Sequence, residues 1–148
     1  MNAKGLGDLP GHVSAPDPHI YRSKNHVIID FETTTHHKGS PLYEGNRIVL
    51  ASWTKVKDGQ RTQRSVFGNE YQQRELVEDI QAADFIVAHN SKFELGWLHR
   101  CGIDLRKIVV FDTQIAEHVL GGNRFFLQQL GLNACLARRG LQPKNDLI

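Results

Sequence analysis

Cysteine is scarce in this chain. Cys101 and Cys135 are its only two, they form no CxxC pair, and both sit in segments read as helical, so reduced thiols are expected rather than a disulfide or a zinc site. Long apolar runs are missing as well. No stretch approaches the roughly 20 residues of a membrane-spanning helix. The opening "MNAKGLGDLPGHVSAPDPH" lacks the apolar centre of a signal peptide, so a cytoplasmic protein with no membrane partner is the expectation. An excess of one charge is also absent. Eighteen Lys and Arg against 16 Asp and Glu give a net charge of +2, too small to argue alone for a nucleic-acid surface. What is present, 40% hydrophobic and 23% charged residues in 148, is ordinary for one globular domain.

Residues 1–25 are rich in Pro and Gly and carry little apolar pattern, which predicts a flexible lead-in draped over a domain spanning 26–148. "HVIIDFET" (26–33) is β-branched and alternating, and "NRIVLASWTKV" (46–56) repeats that character. The Asp-Gly turn in "KDGQ" (57–60) then leads to a third strand, "RTQRSVF", which completes an antiparallel meander. In "NEYQQRELVEDIQAA" (69–83) Leu76, Val77 and Ile80 recur at helical spacing behind Asn69 as N-cap. Strands at 84–90 and 107–113 alternate with helices at 91–102, capped by Ser91, and from 114 to the Gly121-Gly122 stop. Residues 124–141 read as helical with a break at Gly131. The predicted fold is α/β, a mixed sheet of a three-strand meander followed by βαβα, flanked by helices with the first strand central.

The first strand raises the functional question, because its only two charges are like-signed and one residue apart. Side chains alternate along a strand, so Asp30 and Glu32 share one face while Val27, Ile29 and Phe31 enter a core on the other. Carboxylates about 7 Å apart at their Cβ atoms can converge on one divalent cation, which would relieve their mutual repulsion. The simpler alternative is a pair of solvated acids at a strand end. "IVAHNSKFELGWL" (86–98) places Asn90 at a strand-to-helix junction and Glu94 in the next helical turn. If that strand lies beside the first, Glu94 approaches the same crevice. Taken singly, Asn90 is equally a turn or cap residue, and Glu94 equally a helix-dipole acid.

Together these segments resemble the DEDD-type 3′–5′ exonucleases. "VIIDFETT" resembles their first motif (DxE), "IVAHNSKFELGWL" their second, and "FDTQIAEHVL" is similar to the strand–helix element that follows it in the proofreading domains of phage-like family A DNA polymerases. The resemblance spans about residues 26–141. It implies a ribonuclease-H-like fold and two-metal hydrolysis of the terminal phosphodiester at the 3′ end of single-stranded DNA. By that carry-over Asp30, Glu32 and Glu94 are the catalytic and metal-ligating acids, with Thr33, Asn90 and Phe93 at the substrate. Mg²⁺ or Mn²⁺ suits an all-oxygen site better than zinc. It also implies a polymerase domain, or a separate C-terminal piece, as partner.

Two departures stand out. Position 94 holds Glu where the pattern has Asp. The third motif, Tyr or His with an Asp four or five residues on, is not found: the last tyrosine is Tyr71, and Asp146 is the only acid after Glu117. The expectation is a domain that continues past this chain. A second function class stays open, a catalytically inactive nucleic-acid-binding or docking fragment of the same fold. Other candidates read as structural: Asp112 and Thr113 as helix caps, His36 and His37 as a solvated loop, His89 and His118 as non-catalytic, and "QRTQR" and "ARRG" as charged faces.

Overall fold

A computed structural model describes residues 17–68, 73–122 and 129–144. Five strands form one mixed sheet: β1 (His26–Thr33), β2 (Ile48–Lys57), β3 (Gln60–Phe67), β4 (Phe85–Ala88) and β5 (Val110–Asp112). Their order is β3-β2-β1-β4-β5, so the first strand is central, as its sequence position predicts. β1 to β3 are the antiparallel meander, and β4 joins β1 and β5 in parallel. The β2–β3 hairpin turns at Asp58 and Gly59, both with positive φ (52° and 82°), the backbone that an Asp-Gly pair tolerates best.

The core follows the period-two pattern of β1. Val27, Ile29 and Phe31 are buried with Ala51 and Trp53 of β2, against Leu76 and Ile80 of α1 (Gln73–Ala82) and Trp97 and Leu98 of α2 (Lys92–Arg100). Each such side chain removed from water contributes about 2 kcal/mol. Trp53 also donates its indole N–H to Asp79 (3.0 Å), whose other oxygen meets Lys55 (2.5 Å), so α1 is tied to β2 by a satisfied polar pair. Beyond the sheet lie α3 (Thr113–Gly121) and α4 (Leu132–Arg138). Glu117 of α3 pairs with Arg138 and Arg139, so the basic "ARRG" stretch is committed to joining these helices.

Several boundaries differ from the sequence reading. The strand expected over 107–113 is short, because Asp104 accepts a hydrogen bond from the Arg106 amide (3.2 Å) and caps a 3-10 turn (Leu105–Lys107). Gly131, where a break is expected, is the N-cap of α4, in extended conformation. The predicted N-cap Asn69 and residues 124–128 of the last predicted helix lie outside the described residues. Residues 17–25 pack on the sheet's parallel edge, where Tyr21 meets Phe85 and Phe111 edge-on and donates to the Val110 carbonyl (3.1 Å). Among the described residues no helix is long and apolar enough to cross a membrane.

Candidate active site

Asp30 and Glu32 lie on the β1 face opposite its buried residues, with carboxylates 46% and 36% exposed. A register shift between Glu32 and Thr33 against β2 breaks the ladder just past them. Such bulges re-aim side chains at functional edges. The bend carries Thr33 toward the loop at Gly39.

Glu94 sits in the first turn of α2 and is 4% exposed. Its Oε2 is buried and accepts no hydrogen bond. Burial pushes its carboxyl up to about 7; its own amide opposes this, while the charges of Asp30 and Asp112 add to it. The parallel β1–β4 pairing sets α2 against β1, on the side where the Asp30 charge acts on Glu94.

Asp112 ends β5 and organises the junction. Its Oδ1 accepts from the amides of Gln114 (2.8 Å), Ile115 (3.2 Å) and Asn90 (3.2 Å), and its Oδ2 from the Ser91 amide (2.7 Å) and hydroxyl (2.8 Å). Burial raises its carboxyl, but the bonds from Ser91, Ile115 and Gln114 outweigh this and hold it below the usual range. With its lone pairs so engaged, it serves as the cap the sequence predicts and not as a ligand. Ser91 is the correction here. It occupies the N-cap position of α2 but makes no side-chain capping bond, because its hydroxyl is turned to Asp112. Asp112→Ala is expected to cost about 2 kcal/mol, from losing one cap and leaving the β4–α2 amides without their acceptor. Urea unfolding measures it, and a change under 0.5 kcal/mol would contradict this role.

Asn90 is exposed and holds φ 63°, a left-handed backbone that asparagine tolerates better than most residues. This turns the chain sharply out of β4, so that its amide and that of Ser91 both face Asp112. Thr33 and Phe93 meet at Gly39: a Cβ there would fall 2.6 Å from Thr33 Oγ1 and 3.4 Å from the Phe93 ring. Gly39 also has φ 71°, so Gly39→Ala should cost about 1 kcal/mol or more and displace Thr33. A thermal unfolding midpoint equal to that of the parent would count against that contact.

The residue missed by sequence reasoning is Lys144. Its ammonium contacts Asp30 Oδ2 at 2.8 Å and Glu32 Oε1 at 2.6 Å, while its backbone N–H donates to Asn133 of α4 (2.8 Å). Partial burial would lower its pKa, but hydrogen bonds to both carboxylates raise it well above the ordinary lysine value. No spacing rule connects a lysine beyond α4 to a DxE on β1. His89 bridges Thr113 (3.0 Å) and the Leu130 carbonyl (2.8 Å), which fits the structural role expected of it.

Oxygen donors of this kind suit a hard cation, and Glu94 Oε2 is buried without a partner. Among the described residues no three His, Cys, Asp or Glu side chains form a group that could hold a metal ion as placed. Comparison with protein-family models gives no match, and comparison with curated proteins gives none either.

Proposed function

We propose that the chain carries the site of a metal-dependent 3′–5′ exonuclease acting on single-stranded DNA ends, in a ribonuclease-H-like domain of the kind that proofreads for DNA polymerases. The observation that supports this is the pair Asp30 and Glu32, half-buried on one face of the central strand and close enough to share the Lys144 ammonium, together with a buried Glu94 that lacks a hydrogen-bond partner. The strand order β3-β2-β1-β4-β5, an antiparallel meander with two parallel strands on the far side of β1, is compatible with that fold.

In this reading Asp30 and Glu32 would hold Mg²⁺ or Mn²⁺, with Glu94 behind them. The ion would supply charge neutralisation at the phosphodiester and a more acidic bound water. The chain's own residues do the positioning. Phe93 and Thr33, joined at Gly39, offer an aromatic ring and a hydroxyl to the terminal nucleotide. Asn90 and Ser91, fixed by Asp112, set the start of α2 and therefore the height of Glu94. A reading as a non-cleaving nucleic-acid-binding module is favoured by one observation, the Lys144 ammonium already seated on both carboxylates.

Release of mononucleotides from a single-stranded oligonucleotide, with Mn²⁺ and with a chelator, separates the two. The exonuclease reading expects release only with the ion. Binding of the oligonucleotide without release from folded protein supports the module.

A further inference from the structure

Away from the acids, α1, α2 and the start of β2 border an open groove of about 610 Å³, a volume in the range of small-molecule sites. Both helices pack on the β1 face that buries Val27, Ile29 and Phe31, so the groove stands on the other side of the sheet from Asp30 and Glu32. Ile48, Val77 and Trp97 give it an apolar wall, and Arg47, Arg74 and Arg100 line it with three guanidinium groups. No described lining residue is acidic. Part of the lining is main chain: Gly68 donates to the Val49 carbonyl (2.8 Å), and a Cβ at that glycine would overlap the Ile48 carbonyl oxygen.

Arg100 is held in place before any ligand arrives. Its guanidinium lies over the Trp97 ring (5.2 Å to the centroid) and donates to the carbonyls of Pro41, Tyr43 and Glu44 (3.1 Å each). That loop is itself pinned from inside by the buried Asn46, whose amide donates to the His36 (2.5 Å) and Ser40 (2.9 Å) carbonyls. All three acceptors on Arg100 are uncharged, so they leave its positive charge uncompensated, and two of its five N–H groups are not used by these bonds. Among the described residues no ion pair engages Arg47 or Arg100, and Arg74 has a weak one with the solvent-exposed Glu78 (3.1 Å). Guanidinium groups with preset geometry hold a phosphate by paired N–H bonds.

We propose that this groove binds a small organic phosphate of the size of a nucleoside monophosphate, with its phosphate on Arg47, Arg74 and Arg100 and its body against Ile48 and Val77. The guanidinium groups read the charge and the wall reads the body, so neither inorganic phosphate nor an uncharged nucleoside satisfies both. The site uses side chains that the exonuclease reading does not, and it needs no metal ion.

Calorimetry with thymidine monophosphate, thymidine and inorganic phosphate in a chelating buffer tests it, on the whole chain and on Arg47→Gln, Arg100→Gln and Asp30→Asn, beside the unfolding midpoint of each. Thymidine monophosphate is expected to bind the parent one to one with a Kd below about 1 mM, and thymidine and phosphate at least about tenfold more weakly. Both arginine variants should lose about tenfold or more, while Asp30→Asn binds as the parent does. A shift of the Trp97 indole proton resonance on binding locates the ligand at this wall. If Arg100→Gln unfolds, Arg47→Gln decides alone, since that residue is exposed. No binding to the folded parent at about 1 mM, equal affinity for thymidine or for phosphate, or unchanged affinity in Arg47→Gln would each overturn the proposal. Binding lost in Asp30→Asn but kept in the arginine variants overturns it too, and puts the nucleotide on the carboxylate face instead. None of these readouts depends on nucleotide release, so the groove and the exonuclease reading can fail separately.

Discussion

On the proposed reading, Asp30→Ala and Glu32→Ala are each expected to reduce nucleotide release by at least about a hundredfold while leaving the protein folded, because a bound cation would give several kcal/mol to the transition state and these acids would hold it. The two residues are well chosen for the test because neither belongs to the core. Their carboxylates are 46% and 36% exposed, and the burial of Val27, Ile29 and Phe31 on the other face of β1 does not depend on them. Removing one acid from Lys144 breaks a partly exposed ion pair, a loss of at most about 1 kcal/mol. A gel of a labelled oligonucleotide, read beside thermal unfolding of the same samples, measures both quantities. Release equal to the parent's in either variant would remove these acids from the chemistry.

Glu94→Gln is expected to raise stability at alkaline pH and to abolish release. The carboxyl's pKa is about 7 in the folded state against an ordinary 4.5. A raised value means that the folded state holds its proton more tightly than the unfolded chain does. The stabilisation is therefore complete below about pH 4.5 and lost as pH rises through 7. The difference amounts to about 3 kcal/mol, reached above pH 8 in a chelating buffer. Glutamine cannot ionise, so the variant keeps its stability where the parent loses it. Urea unfolding of both proteins at pH 5 and pH 8.5 measures the effect, and parallel pH profiles would show that the Glu94 carboxylate is solvated after all. Saturating Mn²⁺ should narrow the gap at pH 8.5 by stabilising the ionised carboxylate in the parent.

Much of this architecture is legible in the sequence where one physical rule acts locally. Alternation in "HVIIDFET" assigns faces to Asp30 and Phe31, and the Asp58-Gly59 pair marks the hairpin turn. The place of β4 beside β1, which sets α2 against β1, follows from sheet topology and was expected on that ground. Failures arise where a side chain has two possible partners. Ser91 reads as a helix cap, yet Asp112 from a strand 21 residues on takes its hydroxyl. Lys144 lies 112 residues from Glu32, and nothing in "LQPKNDLI" signals that contact. The basic pair Arg138 and Arg139 reads as a charged face, yet both side chains pair with Glu117 of α3. Long-range charge pairing is the common cause, because it obeys no periodicity.

On the proposed reading, this site removes nucleotides from a free 3′ end. A single-stranded DNA oligonucleotide labelled at its 5′ end, prepared with either a free or a chemically blocked 3′ terminus and incubated with the chain and Mn²⁺, tests it most directly. The expected result is a ladder shortening one nucleotide at a time on the free-ended strand and none on the blocked one. Internal cuts on both strands, or an intact free-ended strand beside folded protein, would contradict it.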